Sequence, residues 1–238
     1  MLYTPAAITQ NVSETQMRAR VNQAVADTNW AFADSGVDTQ LCAVHQGMVK
    51  LNGESTLSIT AIVQILQDPS DLGANDADTL NSVHALRKRV NADLVLMIIN
   101  LPLTATGLAH SIYTEEEGPS FASKAFAVVS EAGLTQTGGY FFAHEVGHLM
   151  GSNHDLTLGG AFAYSRGMTG GGLGTPCPSW GTIMSQPVCP TCEALRLWSN
   201  VNPGIKQCGL PVGKPNANDN ARSLNVTRET VAKFRNQL

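Results

Sequence analysis

FFAHEVGHLMGSNHD, residues 141–155, places three of the chain's six histidines within eleven positions, with one glutamate and two glycines between them. On a helix, positions i and i+4 lie one above the other, so His144 and His148 present two imidazoles from one face. Glu145 points roughly 100° further around the axis, beside anything the two rings hold. His154 lies six residues beyond His148 and on a straight helix would face nearly the opposite way. Gly151 removes the difficulty, because a glycine adopts positive φ, stops the helix and lets the chain swing His154 back. Histidines on an otherwise apolar helix are costly to bury without partners. Three convergent nitrogens with a fourth position open match a catalytic zinc rather than a closed structural one.

The rest of the chain fits a compact domain around that stretch. Its 238 residues suffice for a sizeable core, and the 14% charged residues, 22 glycines and net charge of -4 describe a loop-rich globular protein. Arg87-Lys88-Arg89 is the one dense run of positive charge and reads as a solvated helix face, so a nucleic-acid surface is not expected. No apolar run approaches the ~20 residues of a membrane span. MLYTPAAITQ lacks a basic start followed by an apolar stretch, so it is read as the first strand of a domain trimmed from something longer, not as a leader.

Residues 12–32 read as an amphipathic helix opened by a Ser13/Gln16 capping box. Residues 38–51 alternate loosely and are read as a strand. A second helix over 75–90 leads into LVLMIIN (94–100), an apolar run typical of a strand covered on both faces. LAHSIY (108–113) and KAFAVVSE (124–131) are two further strand candidates. Alternating helices and strands predict an α/β fold with a mostly parallel sheet. Gly138-Gly139 precedes the histidine helix, residues 156–222 are rich in Gly, Pro, Ser, Asn and Cys, and a helix over 225–238 closes the chain.

Four of the five cysteines, Cys177, Cys189, Cys192 and Cys208, lie in the last third, where disulfides would supply order that packing does not. That favours a secreted or extracytoplasmic location. The rival reading is a four-cysteine structural zinc site, since Cys189-Pro-Thr-Cys192 is a CxxC without a second close pair. Cys42 is read as a buried small apolar residue. His45, His84 and His110 are isolated, at the surface or hydrogen-bonded in the core. Asp71 to Asp78 and Asn216 to Asn220 offer oxygen ligands for calcium but no EF-hand spacing, so calcium is not assignable to any residue.

His144-Glu145-Val146-Gly147-His148-Leu149-Met150-Gly151-Ser152-Asn153-His154 resembles the HExxHxxGxxH zinc motif of the metzincin metallopeptidases. GTIMS (181–185) supplies a methionine, Met184, at a suitable distance for that clan's methionine turn. Asp155 after the third histidine is similar to the reprolysin (adamalysin) branch. LYTPAA, AFAVVSE, WGTIMS, LWSN (197–200) and NARSLNVTRETVAKFR (220–235) look like secreted bacterial reprolysin-like enzymes of the peptidyl-Asp metalloendopeptidase type.

The resemblance implies one catalytic domain over 1–238, with an upper part to residue 151 and an irregular lower part over 152–238. It implies a twisted, mostly parallel five-stranded sheet with an antiparallel edge strand. His144, His148 and His154 would hold one zinc ion, Glu145 would be the general base for a water at that ion, and Met184 would floor the site. Asp155 would fix the lower part by hydrogen bonding. Astacin- and serralysin-like members carry a tyrosine two residues after the methionine; Gln186 stands there in this chain. The expected reaction is hydrolysis of peptide bonds in a protein or peptide substrate by a monomer. The strand KAFAVVSE is expected to be the cleft edge that pairs with substrate, and 185–200 to wall the specificity pocket; Arg196, the one cation there, either faces solvent or, if it lines the pocket, favours acidic substrate side chains. The alternatives are a catalytically silent binding module, against which Glu145 speaks, and a zinc hydrolase acting on a non-peptide substrate.

Overall fold

A computed structural model describes residues 1–8, 12–67, 77–100, 107–112, 120–135, 140–155, 160–175, 177–185 and 192–235. The chain begins with β1 (Leu2–Tyr3), α1 (Glu14–Asp34), β2 (Gly47–Met48), α2 (Ile59–Gln67), α3 (Ala77–Arg89), β3 (Val95–Ile99) and β4 (Gly107–Ala109). β5 (Phe126–Ser130), α4 (Glu131–Thr135) and α5 (Phe141–Leu149) follow. The strands form one sheet in the order β2-β1-β3-β5-β4, in which every neighbouring pair is parallel except β4 with β5. This is a mixed α/β fold dominated by parallel pairing.

β3 and β5 are buried along their whole length because helices cover both faces. Leu96, Ala127 and Val129 pack with Ala31 and Phe32 of α1 and with Phe142 and Val146 of α5. The alternate residues Val95, Met97, Phe126 and Val128 pack with Ile62, Val63 and Leu66 of α2. α1 starts with the expected box: the Ser13 hydroxyl accepts from the Gln16 amide, and the Gln16 side chain accepts from the Ser13 amide.

Beyond α5 the elements are short: β6 (Thr169–Gly170), β7 (Trp180–Gly181), β8 (Glu193–Ala194), β9 (Lys206–Gln207) and β10 (Leu210–Pro211), then α6 (Asn220–Val231). A disulfide joins Cys177 to Cys208 with their Cα atoms 5.8 Å apart, and Cys192 is also disulfide-bonded, so the four-cysteine zinc reading falls. Cys189 lies outside the described residues. Among the described residues no helix is long and apolar enough to cross a membrane.

Several expectations need correction. The strand expected over 38–51 is only Gly47–Met48, and α2 lies in a stretch where no element was expected. The closing helix starts at Asn220, five residues early, because the Asp219 side chain caps it by accepting from the Arg222 amide. Cys42 is an exposed free thiol, not a buried one. KAFAVVSE is not the edge: β5 lies between β3 and β4, and β4 takes the outer place. Of the acidic segment Asp71 to Asp78, residues 71–76 lie outside the described residues, as do Gly138-Gly139 and Gln186.

Candidate metal centre

α5 is apolar on nearly every side, with Phe142, Ala143, Val146 and Leu149 buried beside Glu145 and His148. It is therefore a core helix that carries its polar residues inward. Gly147 lets other groups close on it: a Cβ there would come 2.6 Å from the Trp198 ring and 2.7 Å from Met184 Sδ. Trp198 in turn stacks on Phe32 of α1, ring centroids 5.7 Å apart, so the helix rests on a fixed aromatic floor.

The exit from α5 is what the glycine predicted. Gly151 has φ +89°; its amide donates to the His148 carbonyl at 3.0 Å, and the Ser152 amide donates to the Gly147 carbonyl at 2.8 Å. These two bonds form the Schellman pattern, which satisfies the last carbonyls and reverses the chain. Thr227 of α6 donates its hydroxyl to the Met150 carbonyl at 2.6 Å, tying the exit to the closing helix.

The reversal brings His154 back to the helix. Its Nε2 lies 2.9 Å from His144 Nε2 and 3.2 Å from His148 Nε2. Imidazole nitrogens sharing a tetrahedral zinc at about 2.0–2.1 Å would sit about 3.3 Å apart, so the spacing suits one small cation. The outer nitrogens settle the tautomers. His144 Nδ1 is 2.8 Å from the Ile183 carbonyl, and His148 Nδ1 is 3.1 Å from the Ser152 carbonyl and 2.7 Å from Ser111 Oγ. A carbonyl only accepts, so each Nδ1 carries the proton and each Nε2 offers its lone pair to the common point.

Burial, then the neighbouring His154, pushes His144 down to about 4. Burial, then His144 and His154, holds His148 well below the usual histidine range. His154 is lowered by burial, against which Asp155 works in the opposite direction. Neutral rings with facing lone pairs repel unless a cation sits between them, so the donor set fits a metal ion. Among the described residues these three histidines are the one group of His, Cys, Asp or Glu close enough to share an ion.

Glu145 is 4% exposed, its Oε2 is buried with no hydrogen-bond partner, and burial pushes its pKa up to about 8. Met184 lies fully buried in a tight turn closed by the Ser185 amide donating to the Thr182 carbonyl at 2.8 Å. A Cβ on Gly167 would come 2.4 Å from the Met184 carbonyl carbon, so a second strand of backbone presses on that turn.

A model of metallo-peptidase family M12, of reprolysin type, matches residues 2–198. The chain belongs to that family. This M12 chain is 32% identical over 227 residues to the peptidyl-Asp metalloendopeptidase of Stenotrophomonas maltophilia, matching 92% of itself and 48% of that protein. It is also 32% identical over 223 residues to the Xanthomonas campestris protein of the same name, at 92% and 47%. The chain thus spans about half the length of the curated relatives it matches. A solved structure described as "Structure of a chaperone-substrate complex" matches 98% of this chain and 34% of its own, with TM-score 0.68 and 18% identity. That likeness concerns the fold alone. Family membership implies zinc as the ion, and the donor set agrees with it.

The remaining expected residues fall in different places. Thr169 Oγ1 reaches Asp155 Oδ2 at 3.5 Å, a long contact beside the third histidine. Arg196 is turned to α1: its Nε and Nη2 donate to Asp34 Oδ2 at 3.2 and 2.9 Å, and it lies 5.0 Å over the Trp30 ring. Its charge is therefore already matched, which argues against its serving as the pocket cation. Much of the expected pocket wall, 186–191, lies outside the described residues. Ser111 and the Ile183 and Ser152 carbonyls were not expected; no local signal marks them, because they are distant or backbone partners of the histidines.

Proposed function

We propose that this chain is the catalytic domain of a secreted zinc endopeptidase, built over 1–238 on the metzincin plan of an upper part to residue 151 and a lower part from 152. What carries the reading is three imidazole Nε2 atoms meeting at one point beside a buried carboxylate whose Oε2 has no hydrogen-bond partner. His144, His148 and His154 hold the zinc. Zinc in such a site supplies Lewis acidity toward a water and a scissile carbonyl. Glu145 takes the proton of the attacking water and passes it to the leaving amine.

An extended substrate adds to the outer edge of β4, the edge strand beside α5, through backbone hydrogen bonds that do not depend on side-chain sequence. The relatives' name, peptidyl-Asp metalloendopeptidase, leads us to assign cleavage beside acidic residues. The disulfides support an oxidising, extracytoplasmic setting. Asp155 fixes the lower part, and the working unit is a monomer.

The test is zinc analysis with casein and peptide-library digests, with and without a chelator, alongside Glu145→Ala. Bound zinc, chelator-sensitive cleavage, and loss of cleavage with zinc retained in the variant are expected. Cleavage that survives chelation or Glu145→Ala sinks the endopeptidase reading. A library with no Asp or Glu enrichment beside the cut sinks only the acidic preference.

A further inference from the structure

Gly107 opens β4 and pairs with Val129 of β5. Glycine weakens a strand interior, and where one persists another group often approaches closely. The backbone does not call for it here, since Gly107 is absent from the glycines with positive φ. The space does. A Cβ at this position would come within 2.5 Å of Glu145 Oε1, 2.8 Å of its Cγ and 2.9 Å of its Cδ, and these are its three nearest atoms. The stem and carboxylate of Glu145 occupy the volume a side chain on residue 107 would fill. At 4% exposure the glutamate has no solvent space to retreat into.

We propose that Gly107 is a positioning residue for Glu145: its missing side chain is the slot that fixes where the carboxylate points. The proposal deepens the reading above and rests on it for the role of Glu145, while the contact stands without it. The same run of chain also grips the second histidine. Ser111 Oγ lies 2.7 Å from His148 Nδ1, and the Ile112 amide donates to the His148 carbonyl at 3.4 Å. The strand at the proposed substrate edge thus seats the carboxylate, and the chain leaving it, at Ser111 and Ile112, seats one ligand. A peptide pairing with the strand bears directly on the element that aims the base.

The experiment is a double-mutant cycle of Gly107→Ala with Glu145→Ala, read as melting temperature and zinc content, with kinetics on the active members. Gly107→Ala alone should retain zinc, lower the melting temperature, and cut kcat by about a hundredfold with KM within about twofold, as a displaced base would. In the Glu145→Ala background the same change should leave the melting temperature where it was, because the obstructing atoms are gone. If Gly107→Ala fails to fold alone but folds with Glu145→Ala, the proposal holds. Equal destabilisation in both backgrounds, failure to fold in both, or an unchanged kcat in the single variant overturns it. Activity surviving in Glu145→Ala would overturn the endopeptidase reading instead, while the cycle in melting temperature would still test the slot.

Discussion

The Nδ1–H of His144 donates to the carbonyl of Ile183 at 2.8 Å, so the first histidine and the residue before Met184 are joined by one hydrogen bond. The helix that carries two rings and the turn that floors them are a single mechanical unit. Met184 fills the space under Gly147, fully buried. Met184→Ala should cost about 2–5 kcal/mol in denaturant unfolding, as other buried large-to-small changes do. Met184→Leu, which nearly keeps the volume, should cost less than about 1.5 kcal/mol. Equal losses for the two would show that volume is not what the position supplies.

Ser111 should matter to metal affinity without touching the ion. It lies 2.7 Å from His148 Nδ1, which the Ser152 carbonyl also approaches at 3.1 Å. Ser111→Ala leaves one acceptor of two, so a loss of about tenfold, the low end for outer partners of a metal histidine, is expected in a zinc-chelator competition. Unchanged affinity would mean that the carbonyl alone orients the ring.

Zinc removal should destabilise the fold. Without the ion, three neutral rings face one another, Nε2 to Nε2 as close as 2.9 Å. Free zinc at a hundred times its dissociation constant should add about 2.7 kcal/mol to unfolding, measured as a melting temperature that climbs with zinc concentration. A melting temperature indifferent to zinc would show that the ion does not bind the folded chain.

Gly151→Ala places a side chain at φ +89°, where a Cβ would also come 2.7 Å from that of Ala161. A loss of about 1–3 kcal/mol is expected from the strained backbone, larger with the contact. Zinc affinity should fall with it, because the turn aims His154. Stability lost without loss of zinc affinity would separate the turn from the ligand.

Breaking the Cys177–Cys208 bridge, whose ends are 31 residues apart, should cost about 3–4 kcal/mol on chain-entropy grounds. A Cys177→Ala/Cys208→Ala variant compared by denaturant melt checks this. A change under half that size would mean that the surrounding contacts already order the loop.

What could be read from the sequence was what is local. The ligand motif, its glycine exit and the capping box of α1 each depend on residues within one or two helical turns. β3 declared itself by an unbroken apolar run, and the same feature in FAVVS should have marked β5 as interior, since an edge strand needs one side less covered. α2, ITAIVQILQ, is nine residues of mostly β-branched and apolar character, too short for its period to separate helix from strand. The partners that finish the site were out of reach for a different reason. Ser111 and His148 are 37 positions apart, and Arg196 meets an aspartate 162 positions away. No pattern along the chain announces which residues folding will set side by side.

The turn after α5 also makes the motif a ruler. Two backbone bonds, Gly151 to His148 and Ser152 to Gly147, fix the path of the chain from the second histidine as far as Ser152, which leaves Asn153 alone between the turn and the third ring. One residue added between Ser152 and His154 would leave both bonds intact and still carry the third ring off the common point. One removed would leave the chain too short to come back. The six-residue interval from His148 to His154 is a measured distance written in residues, and that is why so short a string can specify a three-dimensional site.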